Sequence, residues 1–198
     1  LPNFDLRQQS LPATAGSPDQ QAGVALLRAR LPQARVDFDP LTGAPKSISA
    51  SGQFLTGAKG EGKAVSPAAV AGLATDDPHR AVKAFLREHR PLFGHGPEAL
   101  DAARVKREFV APHTGMKTVV WEQQVDGIPL FEAVLIAHTT GRGELVTLSS
   151  QFVPDPPAAA NRGTSGRAAL VDRPAISAQQ AVAISARNIG EALEAKDL

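Results

Sequence analysis

Between Arg104 and Val153 the apolar residues recur at every second position, broken only where turn-forming residues cluster, and that period restricts the segment to strands of an antiparallel sheet. Val105 to Ala111 is the first candidate strand, followed by the turn Pro112-His-Thr-Gly-Met116. Lys117 to Val125 is the second, with Val119, Trp121, Gln123 and Val125 on one face. Asp126-Gly127 is a strong signal for a two-residue hairpin turn, because both residue types tolerate positive φ. The third strand, Leu130 to His138, is apolar on both faces between Ala133 and Ala137, so a central position is predicted, with Leu130 returning to the core. After Thr140-Gly-Arg-Gly143, Glu144 to Val153 gives a fourth strand, and Pro154, Pro156 and Pro157 end the sheet.

A helical period precedes the strands. A helix starts at Asp76 or Asp77 with Pro78 in its first turn; Val82, Phe85, Leu86 and His89 form one stripe, Arg80, Lys83 and Arg87 face elsewhere, and Gly94 ends the segment. The fold class is therefore α+β, an antiparallel β-meander packed against a helix. Ahead of it, residues 1–57 read as an N-terminal arm. An extended stretch to Gln20 is followed by a helix from Gln20 to Leu31 with Val24, Leu27 and Leu31 aligned, then by a hairpin pairing Ala34–Asp39 with Lys46–Ala50 across a Pro/Gly turn. Residues 58–77 read as a Gly/Ala/Ser loop, 78–154 as the main module, and 155–175 as a Pro/Ala/Gly/Asn linker. In 176–198, Ser177-Ala-Gln-Gln180 is a capping box opening a helix with Ala181, Val182, Ile184 and Ile189 as its apolar positions, ended by Gly190. A lone helix after a linker has little to bury against, which favours a partner outside this chain.

Leu, Ile, Val and Phe make up roughly a quarter of the 198 residues, enough for a core. With 21 Lys+Arg interspersed among 20 Asp+Glu and a net charge of +1, no large field of one sign exists, which argues against nucleic acid or an anionic membrane surface as partner. No apolar run is long enough to span a bilayer. Cysteine is absent, which excludes disulfides and thiol catalysis. The chain begins at Leu1, so a signal segment is expected to lie outside it.

No catalytic constellation is legible. His-Glu-x-x-His, Gly-x-Ser-x-Gly and a phosphate-cradling glycine loop are all missing. Among His79, His89, His95, His113 and His138, the pair His89/His95 invites a metal reading, but neither spacing nor a carboxylate cluster supports one; His138 fits a half-exposed strand position. Asp37/Asp39 and Asp76/Asp77 fit turns, capping and solubility rather than acid–base work. The chain is not expected to be an enzyme or to carry a metal or cofactor.

The stretch Trp121-Glu-Gln-Gln-Val-Asp-Gly-Ile-Pro-Leu-Phe-Glu-Ala-Val-Leu-Ile-Ala-His138, completed by Gly143 to Pro154, resembles the FTP domain, the fungalysin/thermolysin propeptide module. Gln123, Gln124, Gly127, Ile128, Pro129 and Leu130 stand on its motif; they either hold the hairpin or contact a protease. Glu132 departs from the Gly or Asn more frequent there, which puts the local turn in question. Residues 81–94 look like the family's preceding helix, 34–57 like the arm of fungalysin-like (M36-type) precursors, and Ser177 to Gly190 like the opening of a PepSY module. The resemblance implies a cystatin-like fold and a non-catalytic propeptide of a secreted zinc metallopeptidase. Such a propeptide acts as intramolecular chaperone and inhibitor, with the zinc in the protease domain and that domain as partner. If a segment occludes the protease cleft, the extension after Gly190 is expected to do so rather than the FTP sheet. Alternatives are a stand-alone inhibitory or protein-binding module and an accessory domain of a larger secreted or cell-surface protein.

Overall fold

The structure is a computed structural model that describes residues 16–40, 42–163 and 166–197, so most of the extended stretch expected before Gln20 lies outside the described residues. It divides into two compact units at Pro156/Pro157.

The first unit opens with α1 (Pro18–Arg30). Its capping box sits on Ser17, whose Oγ accepts from Gln20 N while Gln20 Oε1 accepts from Ser17 N, so the helix begins two residues before the expected Gln20. Leu27 and Leu31 are buried and Val24 packs against the core. Gly23 permits a close approach to the helical turn Arg90–Phe93, since a Cβ there would lie 2.9 Å from the backbone nitrogen of Leu92.

Strands β1 (Ala34–Asp37) and β2 (Ser47–Ala50) form the predicted hairpin, with Val36 opposite Ile48. Asp39 Oδ1 holds its turn by accepting from Thr42 N at 2.9 Å. Where 1–57 was expected as a separate arm, the structure pairs Ile48 with Leu148 and adds the hairpin to the main sheet. Ile48 is fully buried, and its apolar face is satisfied only by sharing the common core.

The stretch read as a loop is packed. A 3-10 turn (Ala58–Gly60) and the helical turn α2 (Pro67–Val70) bury Gly60, Ala64, Val65 and Ala69. A Cβ on Gly60, where φ is +75°, would stand 2.6 Å from Ala81 Cα, so glycine lets this segment lie against the next helix. That helix, α3 (Arg80–Glu88), is followed by α4 (Arg90–Phe93), closed by Gly94 in the left-handed region, and by α5 (Glu98–Asp101). The start falls after the expected Asp76/Asp77, and Asp77 instead steadies the entry by accepting from His79 N and Lys83 Nζ, each at 2.8 Å. The stripe Val82, Phe85, Leu86 and His89 is buried as predicted. Arg80 is buried too, contrary to expectation, because its Nη1 donates to Lys59 O and Glu61 Oε1.

β3 (Arg104–Val110), β4 (Lys117–Val125), β5 (Ile128–Thr139) and β6 (Leu145–Ser150) form the expected meander. The full six-stranded order is β1-β2-β6-β5-β4-β3, antiparallel throughout, with β5 in the interior. Alternation sends Val119, Trp121, Leu135, Ala137 and Leu148 into one cluster with Phe85, Leu86, Leu92 and Phe93. Burying each Leu or Phe there contributes about 1.5–3 kcal/mol. The opposite face carries Val120, Val134 and Ile136, half-buried, and Thr118 hydrogen-bonded to His138 Nδ1 at 2.9 Å.

The second unit holds α6 (Pro156–Gly163), α7 (Arg167–Asp172) and α8 (Ala178–Asn188). Helical segments therefore occupy much of the expected 155–175 linker; Pro156 and Pro157 fit the first turn of α6 and Ala158 to Ala160 favour its continuation. The Ser177/Gln180 capping box opens α8 as predicted. Its apolar positions Val182 and Ile184, and Ile189 at its end, are exposed, and Ala183 is buried.

Candidate functional site

β4 and β5 run past their neighbours. The pairing of β3 with β4 ends at Arg104 opposite Glu122, and that of β5 with β6 ends at Leu135 opposite Ser150, so residues 123–133 project as a two-stranded ribbon. Its tip is the predicted Asp126-Gly127 turn. Both residues have positive φ, 54° and 76°, the geometry of a type I′ hairpin, closed by Val125 opposite Ile128 and Gln124 opposite Pro129.

The ribbon's base is irregular. Pairing passes from Glu122 opposite Val134 directly to Gln124 opposite Pro129, so Gln123 alone faces residues 130–133. This bulge puts Glu132 at φ +56°, where a side chain is strained, which explains why Gly or Asn suits the position. It also turns Phe131 outward to 92% exposure. Leu130, expected to return to the core, is half-buried on the ribbon, and Ala133 makes that return.

Gln123 closes the gap in the opposite direction. Its side chain is buried; Nε2 donates to Val153 O at 2.8 Å and Oε1 accepts from Val153 N at 2.9 Å, so the amide substitutes for one residue of strand beside the chain leaving β6. Gln151 N donates to Val134 O at 2.8 Å and completes the seam. On the neighbouring position the buried Glu122 accepts from Lys106 Nζ at 2.7 Å and from Arg104 Nε at 2.8 Å, and these cations hold its carboxyl below the usual range.

The six motif residues thus separate by role. Gln123 and Gly127 are structural, Gln124 is half-buried in the ladder, and Ile128, Pro129 and Leu130 lie on the outer part of the ribbon. Pro129 sits where β5 has no second neighbour, so its missing N–H leaves no ladder bond unmade. Leu130, Phe131, Glu132, Lys106 and Glu122 line an open groove of about 610 Å³. Beside it β3 is the sheet edge, exposed at all seven residues, with Val105, Phe109 and Val110 uncovered. These surfaces can receive a partner's side chain and backbone, the chemistry of protein contact. His89 and His95 do not meet; each hydrogen-bonds a backbone carbonyl. Among the described residues no group of three or more His, Cys, Asp or Glu could hold a metal, and no helix is long and apolar enough to cross a membrane.

The family model for the Fungalysin/Thermolysin Propeptide Motif matches residues 101–152, the span from the end of α5 through β6 that builds the ribbon. That segment resembles a fungalysin/thermolysin propeptide motif. A propeptide motif is not a catalytic domain, and its family association is with a protease. No curated protein and no solved structure matches the chain. Within the FTP segment, sequence reasoning missed Phe131 and the exposed edge β3, because an apolar residue in an alternating run reads as core. The departure at Glu132 was the one signal of the bulge that exposes Phe131.

Proposed function

We propose that the chain is the non-catalytic propeptide of a secreted zinc metallopeptidase, assisting the folding of the protease domain and holding it inactive until cleavage. One observation carries this reading: the propeptide motif coincides with a ribbon that buries its polar Gln123 and exposes Phe131 and Ile128. Such an inversion fits a surface completed by another protein, where a rigid exposed aromatic is a suitable anchor. The free edge of β3 fits strand addition beside it. Tethering to the enzyme would supply a high effective concentration, which is lost on cleavage, so release follows from covalent chemistry alone. The zinc belongs to the protease domain, and the helix Ala178–Asn188 fits the opening of a PepSY module.

The test is refolding of the cognate metallopeptidase domain from denaturant with and without the chain, followed by titration of the active enzyme with the chain. Higher refolding yield and loss of peptidase activity at micromolar chain are expected. Equal yields with unchanged activity would overturn the proposal.

A further inference from the structure

Two histidines are enclosed in the helix layer. His89, at the junction of α3 and α4, is 2% exposed; its ring lies 4.5 Å from that of Phe85, and Nε2 donates to Ala64 O at 2.9 Å. His95 is 4% exposed, with its ring 5.7 Å from Phe93 and 5.8 Å from Phe152. Because a carbonyl oxygen only accepts, His95 Nδ1 carries the proton given to Gly96 O at 3.2 Å, which leaves the buried Nε2 without a partner. A proton added there has no acceptor.

The charged groups around both rings are already engaged. His89 is faced by Glu88 and by Arg30 of α1, but Glu88 accepts from Ser66 N and Oγ and pairs with Arg30 at 3.2 Å. His95 is faced by Arg90 and Glu98, which bond to each other at 2.7 and 2.8 Å, and Glu98 also accepts from Gly96 N. His79 is less enclosed: it is half-buried, edge-on to Trp121, with Glu108 at 3.8 Å and Asp77, Lys83 and Lys117 nearby, and desolvation together with Lys117 holds it too below its ordinary value, so its share of the pH dependence remains in the double variant.

We propose that His89 and His95 form an acid-sensitive latch: protonation drives the His95 ring from between Phe93 and Phe152 and frees the exit of β6, where Val153 is clasped by Gln123, so that the helix layer loosens from the sheet in mild acid. Desolvation holds both histidines below their ordinary value of 6.5. The fold therefore prefers them neutral. The stability this contributes is complete above pH 6.5 and declines as the pH falls below it, because the unfolded chain takes up the protons first. Release of a bound protease in acid rests on the propeptide reading; the latch itself does not.

The measurement is urea unfolding of the 198-residue chain at pH 7.5 and pH 5.5, above the range in which the carboxylates titrate. Each histidine kept neutral by the fold raises the unfolding equilibrium constant by at most about tenfold between these values, so a rise of at most about 100-fold is expected for the pair. The double variant His89→Gln, His95→Asn keeps a donor toward each carbonyl without titrating and is expected to lose that part of the pH dependence. NMR titration of the histidine ring protons in the unaltered chain decides the matter if the variant does not fold. Ring signals of His89 and His95 that titrate at or above 6.5, an unfolding constant unchanged between the two pH values, or a folded double variant as acid-sensitive as the parent would each overturn the proposal. No protease is needed, so failure here is distinct from failure of the propeptide reading.

Discussion

The side-chain amide of Gln123 engages both backbone polar groups of Val153, donating to its carbonyl at 2.8 Å and accepting from its N–H at 2.9 Å. One side chain thereby joins the base of the ribbon to the chain leaving β6. Gln123→Ala leaves both groups of Val153 without these bonds in a part-buried site and is expected to cost roughly 2–4 kcal/mol, read as a lower urea midpoint at unchanged slope. Gln123→Glu keeps the acceptor but sets a carboxylate against Val153 O, so its loss should shrink when the new carboxyl is protonated in acid.

Glu132 offers the opposite test. At φ +56° a side chain other than Gly or Asn is strained by about 1 kcal/mol. Glu132→Asn is expected to raise the thermal midpoint by a few degrees, and Glu132→Val to lower it, because β-branching is least compatible with that backbone.

Gly60 is held by both conformation and space. Its φ is +75°, and an added Cβ would meet backbone of α3 at 2.6 Å. Gly60→Ala should destabilise by about 2 kcal/mol or more, whereas Gly127→Ala, which meets nothing within 4 Å, should cost only about 1 kcal/mol of left-handed backbone strain. Paired chemical denaturation curves separate the two causes.

Below the histidine range, Glu98 governs part of the pH dependence. Burial pushes its carboxyl up, but the hydrogen bonds from Arg90 and Gly96 N outweigh this and bring it down to about 2. Because the folded value lies below the ordinary 4.5, the stabilisation is present above pH 4.5 and is lost as the pH falls toward about 2. Solvent exposure of the pair keeps the effect small at neutral pH. Glu98→Gln is expected to remove that small loss between those values and to lower stability at pH 7 by the same small amount.

Much of the fold was legible because its signals are local. Asp126-Gly127 specified its turn, alternation placed Val119, Trp121 and Gln123 on one face, and the stripe from Val82 to His89 fixed which side of α3 is buried. Gln123 even stood on the core face in the sequence, yet its partner Val153 lies thirty residues away, and no period reveals a side chain replacing a strand. The bulge was hidden for a related reason: Leu130 and Phe131 continue an apolar run, and only the pairing register shows that residues 130–133 leave the ladder. Alternation likewise cannot say which edge stays open, so β3 looked like any other strand although all its residues are exposed. Small residues concealed the rest. Gly60, Ala64 and Ala69 carry little hydrophobic signal, but they are small enough to let the segment before α3 pack on it.

On the proposed function, the exposed ribbon of the segment 101–152 binds a metallopeptidase. Titration of the cognate protease domain with the chain and with Phe131→Ala, alongside their urea midpoints, tests it most directly. Phe131 is 92% exposed, so the variant should keep its stability within about 0.5 kcal/mol. Inhibition by the parent chain and at least a tenfold weaker inhibition by the variant are predicted. Equal inhibition by the two, or none by either, would contradict the account.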